Sequence, residues 1–283
     1  MNKFLIINAD DFGITISVND AIIRVFQKGN LTSATLMVNM PGFEDAVEKA
    51  KANPGLGVGL HFCLTQGKAV AGVSSLTDNH GSFFRRGELN RKVLTGAIRK
   101  RDIVNELRAQ LNKFNQHLGT PTHLDSHQHL HMNPWVFLSI LPELKQRNIR
   151  VRLIAPPPDF SLIFHRPVKA FKQFFLMLLA GIYRQLLGKK TNDYLVSIHE
   201  AKSIPDTDTG YYREVLKKSK PGKIVELMVH PYLPAEDIRE FYPDQDSVMQ
   251  PFLKNCIHEY NLLNGLPVFK NDPAITLIRY DQF

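Results

Sequence analysis

Cysteine and long apolar runs are both scarce in this sequence, and each scarcity excludes a class of protein. Two cysteines, Cys63 and Cys256, in 283 residues exclude a disulfide framework of the kind that stabilises small secreted domains. The most apolar stretch, Phe174–Tyr183, is about half as long as the roughly 20 residues that a membrane-spanning helix needs. The apolar run before Asn8 is too short for a signal peptide. We therefore expect a soluble, cytoplasmic protein.

A long uninterrupted run of one charge sign is also missing. The net charge is +8, but the basic residues are scattered through the chain. They lack both the glycine and aromatic pattern of an RNA-recognition motif and the ligands of a zinc finger. No nucleic-acid partner is therefore expected. The sequence also has no internal repeat, so a solenoid fold is not expected.

Short apolar or β-branched runs alternate with segments of helical period, a pattern typical of β/α units around a parallel sheet. A chain of 283 residues is long enough for one α/β barrel, so a single domain covering residues 1–283 is the default prediction. About seven strands are predicted. They are Lys3–Asn8, Ser33–Asn39, Gly57–Phe62, Thr122–His127, Ile149–Ile154, Tyr194–Ile198 and Lys223–His230, with Ile275–Tyr280 as an eighth candidate.

Two segments interrupt the alternation. The connection Thr65–Arg101 contains four glycines, and long connections of this kind usually carry function or disorder. The second is an apolar and basic insertion around residues 156–190. Its helical wheel is apolar over most of the circumference, which favours packing in the protein or in a dimer contact. A lid over the site and a peripheral membrane contact through residues 168–187 stay open as alternatives. One apolar face comprises Phe171, Phe174, Phe175, Leu178 and Ile182.

Ionisable residues stand at the C-terminal ends of four predicted strands. Barrel enzymes build their active sites from the C-terminal ends of several strands. Turn chemistry alone does not explain why buried apolar strands should end repeatedly in acids and histidines. We therefore expect these side chains to meet at one rim of the barrel. They are Asp10, Asp11, His61, Asp125, His127 and His230.

The adjacent carboxylates Asp10 and Asp11 indicate a cation, because two ionised neighbours repel each other. If Asp11 binds the ion, Asp10 is placed to accept a proton from a water whose pKa the ion lowers to about 7. The alternative is an exposed turn before Gly13, and only the other strand ends argue against it. His61 follows a glycine-rich strand, where missing side chains allow close approach, and is a further candidate ligand.

The segment His123–His131 has an ionisable residue at every second position, so an extended chain would direct all five to one side. A metal-binding or catalytic role follows. His123 is a candidate for the deeper core, and His230 for either a proton donor or a strand cap. The candidates for orienting an imidazole, supporting the site or binding substrate are Asp125, His129, His131, Asn39 and Arg152.

Four segments that contain these candidate residues together resemble the YdjC/ChbG family of carbohydrate deacetylases. The resemblance implies an irregular TIM-like (β/α) barrel that hydrolyses N-acetyl groups on sugars, and homodimers are usual in such relatives. It also implies a divalent metal held by the residues matching Asp11, His61 and His127. The stretches are Asn8–Gly13, Gly59–Gly67, His123–His131 and Met228–Pro231.

Carried onto this chain, the resemblance implies that Asp10 takes the proton from water and His230 gives one to the departing amine. Magnesium is usual in the family, whereas one carboxylate and two imidazoles suit zinc-like ions better, so the cation stays open between Mg²⁺ and Zn²⁺. The chain is longer and more apolar at Phe160–Lys190 than the simplest chito-oligosaccharide deacetylases. The substrate therefore stays open among an amino sugar, an oligosaccharide and a lipid-linked sugar.

Two other functions remain as alternatives. A metal-dependent phosphoesterase would suit the positive charge, and it predicts a two-metal site with bridging carboxylates. A non-catalytic sugar-binding protein on the same barrel would not need a general base. Release of acetate that depends on Asp10 would separate both alternatives from a deacetylase.

Overall fold

A parallel sheet lies at the centre of the protein in the computed structural model, and helices surround it. The structure describes residues 2–158, 165–188, 190–198, 208–217, 219–242, 246–247, 249–265, 268–269 and 272–283. The strands are β1 (Lys3–Phe12), β2 (Ser33–Leu36), β3 (Gly57–Phe62), β4 (Leu124–Ser126), β5 (Tyr194–Ser197), β6 (Ile224–Val229) and β7 (Ile275–Leu277).

The helices follow the strands in the order expected of β/α units. Short 3-10 helices cover His127–Met132 and Tyr280–Gln282. The α-helices are α1 (Ile16–Gln27), α2 (Phe43–Ala52), α3 (Arg86–Leu94), α4 (Lys100–Leu118), α5 (Pro134–Gln146), α6 (Pro167–Leu187), α7 (Thr209–Lys217), α8 (Glu236–Arg239) and α9 (Gln250–Leu263).

The strand order is β4-β3-β2-β1-β6-β5, and the described pairings between these strands are all parallel. β1 is central because it pairs with β6 along Phe4–Ala9 and with β2 from Asn8 to Phe12. β7 pairs with the first residues of β1, Lys3–Leu5. The long apolar β1 is therefore covered by neighbours along its length, as a buried parallel strand requires.

Residues 150–155 close the sheet into an irregular barrel by joining β4 to β5. On one side, the Leu124 amide donates to the Arg150 carbonyl at 2.8 Å, and on the other the Leu195 amide donates to the Ala155 carbonyl at 2.8 Å. The prediction of a strand over Ile149–Ile154 is wrong in detail, because only Val151 forms a bridge to each neighbour. The irregular (β/α) barrel itself is confirmed.

Two of the strand ends that differ from their predicted positions lie at the site. β1 continues past Asn8 to Phe12, so Asp10 and Asp11 belong to the strand. β4 stops at Ser126, and the chain turns at once into a 3-10 helix. The backbone there is left-handed at Gln128 and His129, with φ of 55° and 59°.

The long connection after β3 is an ordered structure. Its antiparallel bridges join Lys68 to Ser82 and Thr77 to Phe83, and α3 follows. The buried Glu106 carboxylate of α4 accepts hydrogen bonds from the amides of residues 70 and 71, both at 2.9 Å. This contact fixes the connection on the body of the barrel.

Helix α6 packs on the protein through a narrow stripe, in which Ala180, Tyr183 and Leu187 are buried. The expectation that its phenylalanine face packs inside this chain is wrong, because Phe171 and Phe174 are 72% and 67% exposed. Residues 159–164 and 189 of the predicted insertion lie outside the described residues. Within the described part of the chain, no helix is both long and apolar enough to cross a bilayer.

Gly59 in β3 allows β4 to approach closely, and we expect Gly59→Ala to destabilise the protein. An added Cβ would lie 2.5 Å from the His123 ring, which is itself stacked on Tyr280 with centroids 3.9 Å apart. Because the ring cannot move away, overpacking should lower the free energy of unfolding by about 1–3 kcal/mol. Urea denaturation measures it. Gly87→Ala is the matched control, since nothing lies within 4 Å of an added Cβ there; equal stability of the two variants would contradict the prediction.

Candidate active site and metal centre

The C-terminal end of β1 directs two neighbouring carboxylates into the barrel. Side chains alternate along a regular strand, so Asp10 and Asp11 would ordinarily face opposite ways. The register with β2 shifts between Ala9 and Phe12, and Asp11 has a φ of 64°. This bulge turns Asp11 so that both carboxylates, each 2% exposed, contribute to the same buried cluster.

Asp11 meets the two predicted histidine ligands. Its Oδ1 lies 3.3 Å from Nε2 of His61 and 3.0 Å from Nδ1 of His127. The other carboxylate oxygen accepts a hydrogen bond from the Tyr232 hydroxyl at 2.6 Å. Burial would raise the pKa of Asp11, but the two histidines hold it well below its usual value. The carboxylate is therefore ionised, with one oxygen directed at the imidazoles.

A hydrogen bond from Asp125 fixes the orientation of His61. Nδ1 of His61 lies 2.7 Å from Oδ1 of Asp125. Nδ1 donates its proton to this carboxylate, so Nε2 is the ring nitrogen that faces Asp11. Thr35 donates to the second oxygen of Asp125 at 3.0 Å. This arrangement of carboxylate and imidazole is the one that presents a histidine to a metal ion.

The turn after β4 separates the alternating histidines instead of aligning them. The prediction that His123–His131 is extended, with five ionisable side chains on one side, is wrong beyond Ser126. His127 reaches Asp11, whereas His123 lies in the core against Tyr280. Burial lowers the pKa of His123 to about 3, which keeps that ring neutral.

His131 faces away from Asp11 and supports the backbone of Arg152. Its Nε2 donates to the Arg152 carbonyl at 2.9 Å, because a carbonyl can only accept. Its Nδ1 therefore accepts from the Ser126 hydroxyl at 2.6 Å. Burial lowers the pKa of His131 to about 4, in agreement with a neutral ring that has one donor and one acceptor.

Arg152 is fully buried and contacts three carboxylates. Its guanidinium donates to both oxygens of Asp10 at 2.7 and 2.6 Å. It lies 2.6 Å from Asp125 and 2.5 Å from Glu226. Burial opposes ionisation of Asp10, but Arg152 holds the Asp10 pKa below its usual value. Because Asn8 also donates to Asp10, at 3.0 Å, that carboxylate has a fixed position.

His230 follows β6 and lies across the cluster from β4. Its Nε2 is 3.8 Å from Oδ2 of Asp10. Burial lowers the pKa of His230, so the free ring favours the neutral form. Its backbone amide donates to Glu259 of α9 at 2.6 Å, and Tyr212 donates to the same carboxyl at 2.9 Å. Burial raises the pKa of Glu259 to about 8.

Two further predicted residues lie at the edge of the cluster. The Asn39 amide donates to the carbonyls of Gln66 and Lys68 at 2.8 and 3.1 Å, and so holds the connection after β3. His129 is partly buried, and its Nδ1 has no hydrogen-bond partner among the described residues. For neither residue does a described hydrogen bond reach Asp10 or Asp11.

Several residues that hold the cluster were not predicted from the sequence. Glu226 was the most detectable, because it is an acid inside an otherwise apolar strand of the sequence Ile-Val-Glu-Leu-Met-Val. Tyr280 donates a hydrogen bond to Glu226 from the C-terminal 3-10 helix. Tyr232 and Glu259 carry no local sequence signal, because their partners lie on distant elements.

The donor set fits a divalent cation. For a metal about 2.0–2.2 Å from each ligand, neighbouring ligand atoms lie roughly 3.0–3.5 Å apart. The distances of 3.0 and 3.3 Å from Asp11 to His127 and His61 agree with that spacing. Burial alone would lower the pKa of His61, yet Asp125 and Asp11 raise it to about 10. The cluster thus favours added positive charge at the imidazole nitrogen that faces Asp11.

Within the described residues, a second group, Asp10, His61 and Asp125, also has donor atoms within 4.8 Å of one another. Arg152 contacts both carboxylates of that group, and Nδ1 of His61 is hydrogen-bonded to Asp125. A cation there would face the guanidinium charge. Of the two groups, Asp11, His61 and His127 therefore form the one that could hold a cation without facing the guanidinium.

Removing the Tyr232 hydroxyl should weaken metal binding without unfolding the protein. In Tyr232→Phe, Asp11 loses the donor that fixes its second oxygen, and loss of such a supporting contact typically costs 10–100-fold in metal affinity. We expect the Kd for Zn²⁺ to rise by about tenfold, measured by competition with a chromogenic chelator. Tyr183→Phe removes a buried hydroxyl that donates to Met132 instead and should leave the Kd unchanged; equal effects of the two substitutions would contradict the assigned role.

Comparison with known sequences identifies the family of this chain. The sequence model of the YdjC-like proteins matches residues 4–270, a range that contains all of the cluster residues except Tyr280. The chain belongs to the YdjC-like family. Its α/β barrel and the acid and histidine cluster at the strand ends are therefore features of a YdjC-like protein.

Curated relatives of this YdjC-like chain are named as deacetylases. It is 49% identical over 157 residues to a carbohydrate deacetylase of Geobacillus stearothermophilus, covering 56% of this chain and 60% of that protein. It is 37% identical over 154 residues to a chitooligosaccharide deacetylase of Serratia marcescens, covering 54% and 60% of the two chains. The chain thus aligns with about three fifths of the length of these relatives.

A solved structure resembles the whole YdjC-like chain. It is the crystal structure of an Enterococcus faecalis V583 protein named after a proposed cleavage of cellobiose phosphate. The TM-score is 0.76 at 25% sequence identity, covering 99% of this chain and 98% of the other. The overall architecture therefore extends beyond the stretch aligned with the deacetylases.

Proposed function

We propose that this YdjC-like protein is a metal-dependent deacetylase that removes N-acetyl groups from a carbohydrate and releases acetate. The observation that carries the proposal is the meeting of Asp11, His61 and His127 around one point, with a fixed carboxylate, Asp10, beside them. The names of the relatives support the substrate class.

Asp11, His61 and His127 would hold the cation. One carboxylate and two imidazoles are a donor set that suits zinc-like ions better than magnesium, which prefers oxygen ligands. The bound cation would polarise the acetamide carbonyl and lower the pKa of a water to about 7. Asp125 and Tyr232 would keep the ligands in place, through the contacts to His61 and Asp11.

Asp10 is the proposed proton acceptor. The Arg152 and Asn8 contacts hold its carboxylate in one orientation. Its low pKa makes Asp10 a weak base, so the water that it deprotonates must be unusually acidic. The proposed cation at the neighbouring ligands supplies that condition. Metal and base are therefore proposed to act together, and neither alone would suffice.

His230 is the proposed proton donor to the departing amine. Its lowered pKa disfavours a resting imidazolium, so the ring must gain its proton during the reaction. Nε2 lies 3.8 Å from Asp10, close enough for a proton accepted by that carboxylate to pass to His230 after a small movement. Glu259 fixes the backbone of His230. The proton taken from water would thus reach the nitrogen of the leaving sugar amine.

An acetate-release screen tests the proposal. The purified protein, reconstituted in turn with Zn²⁺ and Mg²⁺, is incubated with N-acetylated mono- and oligosaccharides and with lipid-linked acetylated sugars. Acetate release by the parent protein, absent after chelation and restored by metal, is the expected outcome. Phosphate release from phosphorylated sugars without acetate would indicate a phosphoesterase, and binding without either product would indicate a sugar-binding protein. Either result would overturn the proposal.

A further inference from the structure

Helix α6 presents an apolar face to solvent. Exposed apolar side chains recur at intervals of three and four along it, so they lie on one side of the helix. Monomeric soluble proteins rarely expose contiguous apolar surface of this kind unless something binds to it. The residues of this α6 face are Val168, Phe171, Phe174, Phe175, Leu178 and Ile182.

The same stretch of sequence is strongly basic. Residues 165–190 contain six lysines and arginines and no aspartate or glutamate, in a chain whose net charge is +8. Arg166 and Lys172 are exposed near the N-terminal end of the α6 face. A helix with exposed aromatic and aliphatic residues on one face and only basic charged residues in its own sequence is typical of helices that lie on anionic membranes.

The opposite side of α6 is fixed to the barrel. The Tyr183 ring stacks on Phe137 of α5 with centroids 3.5 Å apart, and its hydroxyl donates to the Met132 carbonyl at 3.3 Å. Met132 ends the 3-10 helix that begins at His127. Tyr183 therefore anchors α6 next to the segment that follows β4, and the α6 face lies on the exposed side of the helix.

We propose that the α6 face binds the surface of an anionic phospholipid bilayer. Phe171, Phe174 and Phe175 would enter the boundary between headgroups and acyl chains, while the exposed Arg166 and Lys172 contact phosphate groups. The helix would lie along the membrane plane, in agreement with the absence of a spanning helix from the described residues. The binding goes beyond the proposed deacetylation and does not depend on it.

Charge argues for lipid over a second copy of this chain. A symmetric dimer through the α6 face would bring together two stretches that each carry six positive charges and no negative one. Like charges across an interface disfavour association. An anionic bilayer supplies the opposite charge along with an apolar layer, so it matches both properties of the α6 face.

Vesicle co-sedimentation of the full chain tests the proposal. We expect binding to vesicles of phosphatidylcholine with phosphatidylglycerol, and about tenfold weaker binding to phosphatidylcholine alone. Phe174→Glu should abolish binding to the anionic vesicles, because a carboxylate would enter the membrane. Leu94→Glu is the matched control, since Leu94 is 88% exposed and lies on α3. Circular dichroism and Tm check that each variant is folded.

A second variant tests the charge contribution. Lys172→Glu keeps the apolar face and should weaken binding to anionic vesicles by about tenfold, with little change on neutral ones. Absence of binding by the intact protein would overturn the proposal, as would equal binding by the parent and Phe174→Glu. A dimer that Phe174→Glu disperses, without any vesicle binding, would assign the α6 face to a second copy instead. None of these outcomes requires deacetylase activity, so the proposed function stands or falls separately.

Discussion

Asp10→Asn should lower kcat for acetate release by about 10²–10⁴-fold, the usual contribution of a general base. The substitution is nearly isosteric and removes the proton acceptor. It should not unfold the protein, because Arg152 keeps contacts with Asp125 and Glu226. Steady-state kinetics on a substrate found in the screen, with metal content measured by elemental analysis, checks the result. We expect about one cation per chain in both parent and variant.

The metal content makes this prediction specific to Asp10. Asp11→Asn should lose both the cation and the activity, because Asp11 is the carboxylate that faces both histidines. Glu44→Gln, at a carboxylate whose side chain is 73% exposed, should change neither quantity. If Asp10→Asn retained full activity, or lost its metal together with its activity, Asp10 would not be the base.

Arg152→Leu should lower the free energy of unfolding by about 3–5 kcal/mol, the range found when one partner of a buried ion pair is removed. Asp10, Asp125 and Glu226 would be left facing one another, buried and without the guanidinium that separates them. Urea or thermal denaturation measures the loss. It should shrink at low pH, where protonation of the abandoned carboxyls removes their repulsion.

Arg152→Lys separates charge from geometry. The lysine keeps one positive charge but cannot donate to three carboxylates in the planar arrangement of the guanidinium. We expect a smaller loss of stability than in Arg152→Leu, together with reduced activity because the orientation of Asp10 is lost. A leucine variant as stable as the parent at neutral pH would show that the carboxylates are not ionised together.

The β/α alternation and the strand ends were predictable from sequence because both follow from local periodicity. An apolar strand that ends in an acid or a histidine is visible in the chain, and parallel strands bring their C-terminal ends to one rim. That reasoning placed Asp11, His61 and His127 together, and the structure brings them within hydrogen-bonding distance. It also anticipated that Gly59 admits a neighbouring group, which proves to be His123.

The rest depends on backbone geometry and distant contacts that local patterns do not contain. The alternation in His123–His131 predicts an extended chain, but left-handed residues after Ser126 redirect it. Arg152 gathers carboxylates from β1, β4 and β6, and no spacing along the sequence encodes that convergence. The exposure of α6 was only one of the alternatives that the sequence left open, because an apolar helix ordinarily finds partners within its own chain.

Three residues beside the proposed catalytic groups adopt backbone conformations that favour glycine: Asp11, Gln128 and His129, with φ of 64°, 55° and 59°. Each such residue costs about 1 kcal/mol relative to an ordinary conformation. Replacing Gln128 with glycine would relieve that cost. Selection for heat-resistant variants should therefore recover this substitution early. The same changes would loosen the turn that aims His127, and the most heat-resistant barrels should therefore be among the slowest catalysts.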